Sequence, residues 1–327
     1  MMGILLSACW LMAGCSVIDD DLSDCNQEEE LRLDYELRLI TNMTTELQTQ
    51  LTTITEMGVA DALKAHLKDI FSDFAHDVDL SFYDTEGDLS CLLHKSDIMD
   101  ANQTSYTLTL PMRKYMHLAV ANIVDNTVVG LADAGYSNTS KLHQTEGSTL
   151  DSHSTGLFTA RQPMEVLSGV SQTFNVRLYM ANSAVALVLD PKGHSYNDLK
   201  VFGTGFASEF QISDSVYVYP ATSPLIRAKR VETGNEMLCY CSVNFPSRDA
   251  SLSDAEPSIW QMKVYVTNQD GSVTETVLDV EEPLKAGELK IIKGEVDDEG
   301  AIRPMNSKVG VSVTLDWNNG GEHEVPL

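Results

Sequence analysis

The sequence predicts a mainly β protein, built as two β-sandwich domains in tandem with one amphipathic helix inserted in the first. Three observations carry this. Short stretches of alternating apolar and polar residues recur along most of the chain, each bounded by Gly, Pro, Asn or Asp. One stretch, beginning at Val59, has helical spacing instead. The 327 residues, 43% of them apolar, are enough for about two domains of roughly 150 residues each.

The elements follow in order. Leu31, Leu33, Tyr35, Leu37 and Leu39 alternate with Arg32, Asp34, Glu36 and Arg38, the pattern of a half-buried strand. Val59, Leu63, Leu67, Ile70, Phe71 and Phe74 then recur at steps of three and four, and Thr53 and Glu56 have capping-box spacing before them. That stripe is core rather than a ligand box. Residues 79–83 form a strand before the turn-like Asp84-Thr85-Glu86-Gly87-Asp88. Tyr106, Leu108 and Leu110 alternate up to Pro111, and residues 116–124 form a partner run. Residues 132–162 are poor in large apolar side chains and read as long loops with room for one short strand.

A second block begins near Ser171. Phe174, Val176, Leu178 and Met180 alternate, and residues 184–189 are an apolar run ended by Asp190-Pro191. Strands are expected at 200–202, 216–219 and 237–245. Residues 263–267 and 272–280 flank Asn268-Gln269-Asp270-Gly271, a hairpin signal. Residues 289–296, a turn at 297–300 and a strand at 309–317 complete the series. In that last strand Val309, Val311, Val313, Leu315 and Trp317 share one face. The expected domains are 31–170 and 171–327.

The chain begins with a short apolar segment from Ile4 that ends in Leu11-Met12-Ala13-Gly14-Cys15. It is too short for a bilayer span of about 20 residues and fits a signal-peptide apolar region of roughly 7–15. A cysteine after small residues at this place resembles a bacterial lipobox, which implies cleavage after Gly14 and lipid on Cys15. Met12 stands where a lipobox usually has Leu, and no Lys or Arg precedes the segment. Residues 15–30 contain Asp19-Asp20-Asp21, Asp24 and Glu28-Glu29-Glu30, and read as a solvated tether because like charges repel. Lipoproteins of the Bacteroidetes carry a similar acidic cluster as a signal for the outer surface. The expected location is therefore the outer membrane, at the cell surface.

The net charge of −26 excludes nucleic acid as a partner and leaves the acyl chains, rather than anionic headgroups, to hold a membrane. Of six cysteines, Cys9 lies in the signal and Cys15 carries lipid. Cys25, Cys91, Cys239 and Cys241 permit two disulfides in three pairings. Cys239 and Cys241 flank Tyr240 in a strand, so both point to one face as buried thiols. Catalytic motifs such as G-x-S-x-G, H-E-x-x-H and the P-loop do not occur. Gly203-Thr204-Gly205 has Ser208 where a dinucleotide loop needs its third glycine, and reads as a bulge or bend. Asp151-Ser152-His153-Ser154, with His143 nearby, reads as a polar surface loop. No enzyme activity, cofactor or metal is expected.

One resemblance runs through nearly the whole chain. It is carried by Leu33-Asp34-Tyr35-Glu36-Leu37 with Ile40-Thr41-Asn42-Met43, by Val78-Asp79-Leu80-Ser81-Phe82-Tyr83, and by Tyr115-Met116-His117-Leu118-Ala119-Val120-Ala121-Asn122. It continues through Gly156-Leu157-Phe158-Thr159-Ala160-Arg161 and residues 174–188 and 289–294. In this order the segments resemble the fimbrillin-associated anchor family of Bacteroidales, the FimB-type lipoproteins. The resemblance implies two transthyretin-like β-sandwiches in tandem. It also implies a lipid-anchored base subunit that attaches a fimbrial shaft to the outer membrane and limits its length. Its partner would be a fimbrillin-like shaft subunit, joined by strand exchange. The strand at 309–317 has the alternation a donated strand needs. On the residues alone, the plainer reading is that it closes the second sandwich. Residues 31–39 are expected to stay in place, since cutting after them would sever the protein from its lipid. Arg161 is expected in a loop open to a trypsin-like protease. The alternative function is a surface lipoprotein that binds glycans, which calls for exposed aromatics on one concave face.

Overall fold

A computed structural model of the chain describes residues 30–40, 57–71, 75–98, 105–132, 135–168, 170–250, 258–305 and 309–316. Gly14, Cys15, Cys25, Thr53, Glu56, Phe74 and Trp317 fall outside them. In chain order the elements begin with β1 (Glu30–Ile40), α1 (Met57–Ile70), β2 (Asp77–Asp84), β3 (Cys91–Ile98), β4 (Ser105–Pro111), β5 (Lys114–Ala121), β6 (Val129–Ala132) and β7 (Lys141–Gln144). Next are β8 (Thr149–Asp151), β9 (Phe158–Glu165), β10 (Thr173–Met180), β11 (Ser183–Asp190), β12 (Tyr196–Thr204), β13 (Glu209–Gln211), β14 (Val216–Val218) and β15 (Leu225–Arg227). The last are β16 (Lys229–Val231), β17 (Leu238–Asn244), β18 (Trp260–Asn268), β19 (Val273–Val280), β20 (Leu289–Val296), β21 (Ile302–Pro304) and β22 (Val309–Asp316).

The strands form four sheets. A seven-stranded sheet runs β3-β2-β5-β9-β10-β1-β4, and a five-stranded sheet runs β16-β17-β11-β20-β21. A six-stranded sheet runs β22-β19-β18-β12-β15-β8, and a four-stranded one β14-β13-β7-β6. The fold is thus mainly β, with sheets stacked as sandwiches in tandem, as the strand pattern predicts.

The cores explain which faces are apolar. The first core joins Leu80, Phe82 and Leu178 of the seven-stranded sheet to Val59, Leu63 and Leu67 of α1 and to Ala184, Ala186 and Cys239 of the five-stranded sheet. The second joins the opposite face of β11, through Val185, Leu187 and Leu189, to Trp260, Met262 and Val264 of β18. β11 is therefore covered on both faces, which is why residues 184–189 read as an unbroken apolar run. A third core sets Leu118 and Val120, on the other face of β5, under Leu142 and Phe210 of the four-stranded sheet.

The helix forms where the spacing predicts. Val59, Leu63 and Leu67 are fully buried along one stripe, with Phe71 just beyond the last turn. The Gly156 N–H donates to the Ile70 carbonyl at 2.8 Å and satisfies one of the carbonyls a helix end leaves free. A Cβ at Gly156 would sit 2.6 Å from the Phe71 ring, so only glycine permits that approach.

Three expectations differ from what the chain does. Residues 132–162 contain β7, β8 and the start of β9 rather than long loops. β7 and β8 are four and three residues long, too short for alternation to stand out, yet each buries one leucine, Leu142 or Leu150. Arg161 lies inside β9, opposite Leu118 of β5, and not in a loop. The strand Thr173–Met180, expected to open the second block, pairs in parallel with β1 from Asp34↔Thr173 to Ile40↔Tyr179. It therefore belongs to the seven-stranded sheet. The hairpin holds as predicted. β18 and β19 pair from Trp260↔Val280 to Thr267↔Val273, with Gly271 at φ +86 in the turn.

Candidate functional site

The two strands nearest the chain ends occupy unlike positions. β1 is an interior strand, flanked by parallel β10 and antiparallel β4, with Glu30↔Pro111 and Glu36↔Ser105 at the ends of the β4 pairing. Its Leu33 is 2% exposed in the first core. β22 is the outermost strand of the six-stranded sheet. Among the described residues it pairs with β19 alone, antiparallel, from Val280↔Val309 to Val273↔Asp316. Val309 packs against the second core. Val311, Val313 and Leu315 stand opposite Leu278, Thr276 and Thr274. Among the described residues no strand pairs with the other side of β22, the arrangement that an added or exchanged strand requires. Cys15 and Gly14 fall outside the described residues, as does Trp317, so lipid and cleavage stay expectations of the sequence.

The polar clusters are structural. Ser152 and His153 are buried, not part of a surface loop. Ser152 Oγ accepts the Val243 N–H at 2.8 Å, and the His153 N–H donates to the Val243 carbonyl at 2.9 Å. The Gln144 amide and His153 Nε2 lie 2.8 Å apart, and Phe245 meets the imidazole edge-on with centroids 5.0 Å apart. Burial pushes His153 down to about 3, so it stays neutral near pH 7. The cluster clasps the 152–153 segment to β17. Asp151 points away and meets Arg227 at 3.3 Å. His143 precedes Gln144 in β7, so alternation sends the two side chains to opposite faces and His143 away from His153.

Sequence reading missed a second cluster because only strand register assembles it. β2 and β3 place Asp79 opposite Ser96 and Ser81 opposite His94. Asp79 Oδ2 lies 2.6 Å from His94 Nε2 and accepts from Ser96 Oγ at 2.8 Å. Both partners converge on the carboxylate, so the serine proton goes to Asp79 and not to the imidazole. A nucleophile needs its base within hydrogen-bond reach of its own proton, and this order does not supply that.

Cys239 and Cys241 share one face of β17 and are buried in the first core. Burial pushes the Cys239 thiol up to about 12 and Cys241 well above its usual range. Neither supplies thiolate near neutral pH. Cys239 and Cys241 are free thiols. Among the described residues no group of three His, Cys, Asp or Glu side chains is placed to hold a metal. Gly205 ends β12 in a bend at φ +95. Residues 297–300 are a turn: Asp297 Oδ1 accepts the Glu299 and Ala301 N–H groups at 3.0 and 2.9 Å.

A cavity of about 370 Å³ opens where the β18–β19 hairpin meets the β20–β21 turn. Its polar walls bond one another. His194 Nε2 meets Asn268 Oδ1 at 3.0 Å, and Asn268 Nδ2 donates to Ser272 Oγ and Thr274 Oγ1, each at 3.1 Å. Among the described residues no helix is long and apolar enough to cross a membrane.

No family model matches the chain, and no curated protein matches its sequence. Solved structures do. A candidate adhesin from Bacteroides thetaiotaomicron is 10% identical, with 86% of this chain and 95% of that chain covered at a TM-score of 0.52. A candidate adhesin from Bacteroides ovatus is 13% identical, with 84% and 88% covered at 0.51. The fimbrial anchor protein Mfa2 from Porphyromonas gingivalis is 9% identical, with 87% and 99% covered at 0.47. The fold likeness stands on the first two: this chain is similar in fold to those Bacteroides proteins over most of its length.

Proposed function

We propose that this protein is a lipid-anchored subunit at the cell surface that attaches fimbriae to the outer membrane, with no catalytic role. The observation that carries the reading is the placement of β22. Among the described residues it is an edge strand held by one neighbour, far along the sequence from the lipobox cysteine. Lipid on Cys15, after cleavage at Gly14, secures one end in the membrane. Two or three acyl chains anchor firmly, where a single one binds only marginally. The acidic tether holds the folded part away from the bilayer. The fold shared with candidate adhesins of Bacteroides and the order of segments typical of fimbrillin-associated anchors support the same reading.

The contact with the shaft is strand exchange. An edge strand that moves to a partner's sheet gives up one ladder and gains another, so the exchange is close to balanced in hydrogen bonds. Releasing β1 would break two ladders and empty part of the first core. β22 is therefore the donor and β1 stays. The sandwiches are of transthyretin type in this reading, and the partner is a fimbrillin-like shaft subunit.

Deletion of residues 308–327 tests this in cells. The truncated protein is expected to sediment with membranes while fimbriae appear in the culture medium. Fimbriae retained at the normal level would exclude strand donation by β22. Cys15→Ala is expected to move the protein itself into the soluble fraction.

A further inference from the structure

Two arginines without carboxylate partners mark a second site. The chain has 22 basic residues against 48 acidic ones, so cations have many possible partners. Arg113, Arg227, Arg230 and Arg303 each meet a carboxylate. Arg161 and Arg177 meet none among the described residues. They lie on neighbouring strands: β9 and β10 pair antiparallel at Phe158↔Met180 and Thr159↔Tyr179, and Arg161 and Arg177 each lie two residues beyond the second pair. On the far side of β10, Arg177 is in register with Arg38 of β1.

Arg161 and Arg177 line a cleft of about 380 Å³ between the seven-stranded sheet and the β13–β14 hairpin. That volume lies within the usual range for small-ligand sites, about 300–1,000 Å³. Tyr179, 56% exposed, stands beside them on β10. Across the cleft lie Phe210, Tyr217 and Ser215. The Phe210 and Tyr217 rings are 4.6 Å apart, and the Tyr217 hydroxyl donates to the Ala181 carbonyl at 2.7 Å, which fixes the ring. Among the described residues none that lines the cleft is acidic.

We propose that this cleft binds the carboxylate of a sugar acid at the end of a glycan chain. Two guanidinium groups lining one cleft offer N–H donors to two carboxylate oxygens, and a bound anion offsets their like charge. The aromatic walls suit the apolar face of a sugar ring. The charge of the whole protein selects the class of anion. At −26 its field repels a phosphate dianion or a polyacidic peptide more than a ligand with one negative charge. The cleft is also compact, where a peptide would need an extended groove or a free strand edge. The site lies on a different sheet from β22, so its success or failure is independent of strand exchange.

Calorimetric titration of the full chain in detergent at low salt tests the site. The probe is the methyl glycoside of galacturonate, with methyl galactoside, inorganic phosphate and a glutamate-rich hexapeptide as comparisons. The galacturonoside is expected to bind, and the neutral galactoside at least tenfold more weakly. Arg161→Gln and Arg177→Gln are each expected to weaken the galacturonoside at least tenfold without lowering the thermal midpoint, since both side chains are exposed and unpaired. Arg161→Lys, which keeps the charge but loses the fork, is expected to fall between. Absence of galacturonoside binding, or equal affinity in either glutamine variant, overturns the proposal. Tighter binding of phosphate or of the peptide overturns the choice of a sugar acid.

Discussion

Gly205 shows how one residue fixes a local bend. Its φ of +95 lies where L side chains are disfavoured, and a Cβ there would sit 2.8 Å from the Trp260 Cα. Gly271 has φ +86 but open space around it. Gly205→Ala is therefore expected to lower stability by about 3 kcal/mol or more, and Gly271→Ala by about 1 kcal/mol. Equal shifts in denaturant midpoint would show that the contact with Trp260 does not matter. Two buried imidazoles make a second prediction. Burial depresses His117 from 6.5 to about 4 and His153 from 6.5 to about 3. The unfolded chain thus binds more protons as pH falls through that interval. The stability is full above about pH 6.5 and declines below it, by roughly 2–3 kcal/mol per imidazole at pH 4.5. His117 stacks on Phe82 with centroids 4.2 Å apart, so His117→Phe keeps a ring there. Urea titrations are expected to show a smaller loss between pH 7 and 4.5 in that variant. An unchanged loss would contradict the role of His117.

At the scale of elements, the position of β22 has a dynamic consequence. An edge strand with one ladder opens without disturbing the rest of its sheet, whereas β18 lies between β12 and β19. Hydrogen exchange is expected to be much faster in β22 than in β18. Equal protection would mean that β22 is as fixed as the interior and poorly suited to exchange. The same elements show what the sequence makes legible. Long strands and the helix carry their own periodicity, so β1, α1 and the β18–β19 hairpin can be read directly. The edge position of β22 cannot, because it depends on which strands pair with β19. β7 and β8 escape notice because each gives only one leucine to the core. The Asp79–His94 and Arg161–Arg177 groupings are likewise invisible, since only the fold brings residues this far apart in sequence together. The lipobox reading of Cys15 rests on local sequence alone, and Cys15 lies outside the described residues.

At the scale of the whole molecule, the proposed function divides its tasks by place: lipid at Cys15 near one end of the sequence and strand exchange by β22 near the other, with layered sheets whose cores share β11. High negative charge favours solubility and disfavours anionic surfaces, so in that reading attachment rests on the acyl chains and the strand. The central claim is that the intact lipoprotein holds a fimbrial polymer through β22. Affinity capture of the full-length protein from outer membranes tests it most directly, beside the form lacking 308–327. The full-length protein is predicted to bring down a polymer of another subunit, and the shortened form to bring down none. Capture of the polymer by both forms, or by neither, would contradict the account.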